Sequence, residues 1–169
     1  VSIDDASTTE IDDALSVTRL PGIGWRFGIH IAAPGLGIVP GSPHDAVART
    51  RLSTVYMPGH KITMLPDSPV ESFTLAAGRA CPALSLYVTA SDDFEIVSHE
   101  SRVERVPITA NLRLHEIEPH MALDQLNAGQ TPACPYGDTL LTLWRFAAAC
   151  AGRRGKPSAQ AGLHDYHYQ

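Results

Sequence analysis

Apolar and polar positions alternate with a period of two in two regions of the chain. They recur with a helical period near its end. Ala14 to Leu20 and Trp25 to Ala33 read as two strands, and Pro21-Gly22-Ile23-Gly24 supplies turn chemistry between them. Ile29-His30-Ile31 is β-branched and apolar enough for a buried strand. Ala83 to Ala90 and Phe94 to Val106 alternate in the same way, with Ser91-Asp92-Asp93 as the connection. A short strand within Val1 to Ile11 enters the polar loop Ala6-Ser7-Thr8-Thr9-Glu10. Asp138 to Ala151 is apolar along one side and predicts a helix capped by Asp138. His44 to Leu52 predicts another, with Ser42 as its cap and Pro43 in its first turn. Thr109 to Glu118 and Pro119 to Asn127 are read as two further helices. Pro34 to Pro43 is a Gly/Pro-rich loop, and Thr54 to Pro69, broken by Pro58-Gly59 and Leu65-Pro66, is read as irregular. Gly152 to Gln169 is polar and basic, then aromatic, and reads as a loop or linker. Together these elements predict an α/β domain with a mixed β-sheet flanked by helices.

Composition narrows the function classes. The 169 residues suit one domain or a large piece of one, at 44% hydrophobic and 18% charged. No apolar run reaches the length of a membrane span, so no membrane partner is expected. The net charge of −5 argues against a free-standing nucleic-acid binder, which draws its affinity from Lys and Arg. It leaves room for a metal-dependent nuclease, in which acidic residues hold cations and the cations meet phosphate. Cys81, Cys134 and Cys150 form no close-spaced pair, which fits reduced thiols in the cytoplasm. There is no HExxH and no Cys/His cluster at zinc spacing.

The densest chemistry lies in Ile3-Asp4-Asp5-Ala6-Ser7-Thr8-Thr9-Glu10-Ile11-Asp12-Asp13-Ala14-Leu15, where five carboxylates fall within ten residues. Carboxylates drawn together repel and rise in pKa unless a cation neutralises them. Oxygen ligands without thiolate or imidazole suit Mg²⁺ or Mn²⁺ better than zinc. Asp12 and Asp13 begin a strand and therefore point to opposite sides, and Asp4 would return to the same place through the loop. A solvated acidic turn and a structural Ca²⁺ loop remain open alternatives. An EF-hand does not fit, because its central Gly and final Glu are out of register.

The same residues give the sequence a resemblance to the catalytic (RNB) domain of the ribonuclease II and ribonuclease R family. The matching blocks are Ser2-Ile3-Asp4, Glu10-Ile11-Asp12-Asp13-Ala14-Leu15, Gly28-Ile29-His30-Ile31-Ala32, Ser53-Thr54-Val55-Tyr56-Met57-Pro58, Met64-Leu65-Pro66 and Pro82-Ala83-Leu84-Ser85. They occur in the family's order. Residues 1–106 match best, and 107–169 form a weakly matched helical part, so the chain is expected to be the N-terminal portion of such a domain. The resemblance implies a 3′-to-5′ exoribonuclease that releases nucleoside 5′-monophosphates from the 3′ end of single-stranded RNA. It implies Mg²⁺ (or Mn²⁺) held by Asp4, Glu10, Asp12 and Asp13. In that reading Asp4 and Asp13 are direct ligands, Asp12 orients water or a second metal, and Glu10 supports either. Tyr56 would lie against the terminal base, since stacking tolerates any sequence. Its structural alternative is core packing. A monomer with flanking oligonucleotide-binding domains is expected in the full-length chain.

Three positions depart from the family pattern: Glu10 and Ala33 stand where Asp is usual, and Cys81 where Arg is usual. The family's later arginine segment, resembling S-P-I-R-R-Y, does not occur in residues 1–169. These departures support an alternative: a catalytically silent RNB-like module that binds RNA or a protein. Among other residues, His30 is expected to hydrogen-bond locally inside a strand. Arg49, Arg51 and Lys61 would meet phosphates or solvent. His164, Tyr166, His167 and Tyr168 would line an RNA channel or sit in a solvated tail, and Trp25 and Trp144 would pack in the core.

Overall fold

The computed structural model describes residues 1–154. Its strands are β1 (Ser2–Asp4), β2 (Asp13–Leu20), β3 (Gly24–Ala32), β4 (Val55–Met57), β5 (His60–Ile62), β6 (Ala80–Ala90), β7 (Ile96–Pro107) and β8 (Asn111–Arg113). Its α-helices are α1 (Pro43–Arg51), α2 (Asp67–Phe73), α3 (Leu114–Ile117), α4 (Leu123–Asn127) and α5 (Gly137–Arg153). The body is an antiparallel sheet ordered β2-β3-β6-β7, beside a parallel pair β1-β8 and a hairpin β4-β5. Parallel and antiparallel pairings thus occupy separate sheets, with helices around them. This is the α+β form of the expected class.

The two-residue period of β3 explains the layering. Phe27 and His30 differ in parity and so face opposite sides of the sheet. Phe27 is 1% exposed, pairs with Val88 across the sheet, and stacks on Phe146 of α5 at 3.9 Å between ring centres. Burying such a ring is worth roughly 1.5–3 kcal/mol, and its contact with Phe146 fastens α5 to the sheet. On the other side Ala14, Cys81 and Ala83 join Ile11, Leu75, Val106 and Ile108 in a second core. A third cluster, Leu112, Ile117 and Leu140, joins β8 and α3 to α5. Gly24 closes the β2–β3 turn at φ +137°, where a Cβ would stand 2.2 Å from the Ala90 carbonyl oxygen, so only glycine fits.

Helix α1 starts as its sequence predicts: Ser42 Oγ accepts from the Asp45 amide at 3.3 Å and Pro43 fills the first turn. It ends at Leu52 with φ 65° and ψ −31°, and Ser53 N–H donates to Arg51 O across it at 2.8 Å. This is the strained form of a three-residue turn. Leu52 is 77% exposed, so little packing is lost when its side chain is removed. Leu52→Gly is therefore expected to stabilise the domain by about 1 kcal/mol through relief of that strain, read as a higher denaturant midpoint. An unchanged or lower midpoint would show that Leu52 is not strained.

Three sequence expectations are corrected. Thr54 to Pro69 is not irregular: Pro58-Gly59, with Gly59 at φ 72°, closes a β4–β5 hairpin, and α2 follows it. Thr109 to Glu118 is not one helix, because Asn111–Arg113 pairs in parallel with Ser2–Asp4 before the single turn of α3. That pairing is with residues 109 positions earlier, which no local propensity reports. Asp138 lies inside α5 rather than capping it; the cap position is Tyr136 at φ 61°, and Asp138 accepts from Thr131 Oγ1 at 2.9 Å. Both tryptophans are half-buried. Trp25 packs beside the Phe27 cluster, with the Arg19 guanidinium over its ring.

Candidate metal centre

The acidic loop is fastened at both ends by secondary structure and along its length by polar contacts. Asp4 ends β1 opposite Arg113, and Asp13 opens β2 opposite Ile31. Ile11 is buried, its N–H donates to Thr74 Oγ1 at 2.8 Å, and its carbonyl accepts from Leu75 N–H at 2.9 Å. Asp12 O accepts from Ala32 N–H at 2.7 Å. Arg113 Nη1 donates to the carbonyls of Asp5 at 2.8 Å and Thr8 at 3.3 Å, so one guanidinium gathers the loop backbone. Asn111 holds the first carboxylate indirectly. Its Nδ2 donates to Ser2 Oγ at 2.9 Å and to Leu75 O at 2.9 Å, and its Oδ1 accepts from Ala77 N–H at 2.8 Å. Ser2 Oγ in turn donates to Asp4 Oδ2 at 2.5 Å. Charge-assisted contacts of this length fix a carboxylate's direction.

Partial burial is the largest cause holding Asp12 above its ordinary pKa, followed by the charges of Glu10 and Asp13; Lys61 opposes these, and Asp4 adds to them. Lys61 Nζ stands 3.7 Å from Glu10 Oε1 and donates to Thr9 Oγ1 at 3.1 Å. Among the described residues, no three His, Cys, Asp or Glu side chains stand together at a separation that would hold a metal ion. The donor set nevertheless fits a hard divalent cation in type and charge. It is all oxygen, and it is repulsive enough to favour one. The residues that would hold it are Asp4, Asp13, Asp12 and Glu10.

Beside the loop lies a cavity of about 180 Å³ lined by Glu10 and Asp12 together with Thr54, Met64, Leu65 and Phe73. Two carboxylates thus border a largely apolar recess. Tyr56 is not part of that lining. It projects from β4 at 75% exposure, opposite Lys61 of β5, which removes the core-packing alternative.

Several supporting residues escaped the sequence reading. Thr74, Asn111 and Arg113 reach the loop from 63 to 109 positions away, so no local spacing marks them. Lys61, expected from the sequence to meet phosphate or solvent, faces Glu10. The remaining candidates are structural. His30 is 1% exposed, with Nε2 2.9 Å from Ser16 Oγ and Nδ1 2.8 Å from Ser85 Oγ. Burial is the largest cause pushing its pKa down, which disfavours the charged ring. Arg49 pairs with Asp45, and Arg51 donates to the Thr63 carbonyl. Cys81 faces the core, where its thiol donates to Thr74 O at 3.3 Å. His164, Tyr166, His167 and Tyr168 lie outside the described residues.

Comparison with known proteins gives a consistent result. Residues 1–161 match the RNB domain family. The Exoribonuclease 2 of Vibrio cholerae is 33% identical over 159 residues, covering 91% of this chain and 23% of that protein. An uncharacterized ribonuclease of Synechocystis is 40% identical over 92 residues, covering 54% of this chain and 14% of that protein. The chain therefore spans a quarter or less of the length of these curated relatives. Among solved structures, Mycoplasma genitalium RNase R in complex with double-stranded RNA superposes with a TM-score of 0.75 at 17% identity, covering 91% of this chain and 27% of that one. Yeast Ssd1, a pseudonuclease, gives 0.75 at 23% identity, covering 90% and 18%. These two show a shared fold.

Proposed function

Because the chain belongs to the RNB domain family, we propose that it is the N-terminal portion of the catalytic domain of a Mg²⁺-dependent 3′-to-5′ exoribonuclease. In this reading the full-length protein hydrolyses single-stranded RNA to nucleoside 5′-monophosphates. Flanking oligonucleotide-binding domains would help hold the RNA, and the protein would act as a monomer in the reducing cytoplasm. The observation that carries the reading is the set of four carboxylates on one fastened loop, with Asp12 raised in pKa by partial burial and then by its acidic neighbours.

Each residue has a separate task. Asp4 and Asp13 serve as metal ligands, Asp4 being aimed by Ser2 and Asn111. Asp12 orients the attacking water from the side of the cavity, and Glu10 supports it there. A bound magnesium ion would supply positive charge against the phosphate and make water a better nucleophile. Tyr56 stacks on the terminal base from its exposed strand.

Hydrolysis of a 3′-labelled oligonucleotide by the full-length chain, with and without Mg²⁺, tests the reading. Metal-dependent release of mononucleotides is expected. Binding without metal-dependent hydrolysis would instead establish a silent RNA-binding module. Two observations favour that second reading: among the described residues no three carboxylates are gathered at ligand separation, and a pseudonuclease shares the fold. Tyr56→Ala is expected to change the length of the final product while leaving metal dependence intact, because only the base contact is lost. Identical end products, resolved on a sequencing gel, would remove Tyr56 from the site.

A further inference from the structure

Among the described residues, the polar side-chain tie between the hairpin that carries Tyr56 and the acidic loop is made by Lys61. Tyr56 of β4 is paired across the hairpin with Lys61 of β5. The Lys61 ammonium reaches the loop, 3.1 Å from Thr9 Oγ1 and 3.7 Å from Glu10 Oε1, with side-chain exposures of 33% for Lys61 and 14% for Glu10. The other basic residues near the hairpin are turned elsewhere: Arg51 donates to the Thr63 carbonyl, and Arg49 pairs with Asp45 within α1. Lys61 is thus the cation that the structure sets against the acidic loop from the hairpin side.

We infer that Lys61 is a positioning residue that acts as an internal counter-cation, exchanging its hold on Glu10 for a divalent ion and thereby coupling metal binding to release of the Tyr56 hairpin. The inference rests on the metal-site reading above. Its physical basis is competition. Gathering Glu10 with Asp4, Asp12 and Asp13 around a divalent cation brings that cation to the carboxylate Lys61 already faces. Two cations at one carboxylate repel, and the monovalent one sits on a flexible four-carbon stem that yields most readily. When Lys61 leaves Glu10 and, with it, Thr9, the side-chain link between the acidic loop and the hairpin bearing Tyr56 is lost. The aromatic side chain then gains freedom to follow the RNA end.

The test uses Mn²⁺ as the probe, followed by electron paramagnetic resonance on the full-length protein. Lys61→Met is expected to bind Mn²⁺ roughly two- to fivefold more tightly than wild type, the range set by a partly exposed ion pair. Lys61→Arg retains the charge and is expected to stay close to wild type. Amide hydrogen exchange supplies a second readout. In wild type, exchange in the 55–62 hairpin should quicken on adding Mn²⁺, whereas Lys61→Met should show the faster rate before any metal is added. Unchanged or weaker Mn²⁺ affinity in Lys61→Met, with Asp13→Asn still abolishing binding, would overturn the role of Lys61 and leave the metal site standing. Mn²⁺ binding that survives Asp13→Asn, a change at an assigned ligand, would remove the site itself and the inference with it.

Discussion

Asp12→Asn is expected to lower the rate of RNA hydrolysis by a factor on the order of 10²–10³ or more, the scale seen when one electrostatic contributor is removed from a preorganised site. Asparagine keeps the shape of the side chain and can still donate a hydrogen bond. It cannot accept a water proton, and it brings no charge to a metal. The backbone contact of residue 12 with Ala32 N–H is unaffected by the change, so the loop stays fastened. Stability should move the other way. Burial and three like charges hold the Asp12 pKa above its ordinary value. The stability linked to that shift is fully present below the ordinary aspartate value and is lost as pH rises through the raised one. Above the raised value the penalty is complete, and asparagine removes it. Thermal melting in chelator should therefore show Asp12→Asn equal to wild type or slightly more stable. RNA retention on a filter should persist while hydrolysis falls. Unchanged turnover would dismiss the metal-site assignment. A large drop in melting temperature would mean that the loop needs the charge for folding.

Asn111→Ala is expected to cost about 3 kcal/mol of stability, from two or three polar groups losing their partner at 1–3 kcal/mol each when buried. The side chain satisfies Ser2 Oγ, Leu75 O and Ala77 N–H together, joining β8 to β1 and to the segment after α2. A second effect separates this residue from an ordinary packing position. Ser2 Oγ, no longer held by Asn111, would point less consistently at Asp4 Oδ2. Loss of such a supporting contact typically weakens metal affinity by about 10–100-fold. Urea unfolding and Mn²⁺ titration at a temperature where the variant is folded measure the two effects separately. Wild-type metal affinity in a folded Asn111→Ala protein would confine Asn111 to a structural role.

These two residues mark the limits of what could be read along the chain. Asp12 stood out because five carboxylates in ten residues is a local fact with a local physical meaning. Asn111 lay in a stretch whose helical propensity hid a three-residue strand, since parallel pairing with Ser2–Asp4 is a contact between distant segments. The long strands β2, β3, β6 and β7 were legible for the same reason that Asp12 was: alternation is written into consecutive residues. The hairpin at 55–62 was obscured by its Pro-Gly turn, which signals a break in the chain but not the pairing on either side. Tyr56 was found through a family pattern. Its exposure, and its absence from the cavity beside Asp12, came only with the fold.

By itself the sequence determined the combination of strands and helices, the family pattern and the loop of hard oxygen donors, because strand period, helix period and charge density are properties of neighbouring residues. The tertiary structure decided which groups serve that loop: Thr74 and Arg113 on its backbone, Asn111 through Ser2 on Asp4, and Lys61 against Glu10. Apart from that of Ser2 with Asp4, those contacts join residues 51 to 109 positions apart, and their formation depends on the packing that brings β1, β8, α2 and the β4–β5 hairpin to one end of the main sheet.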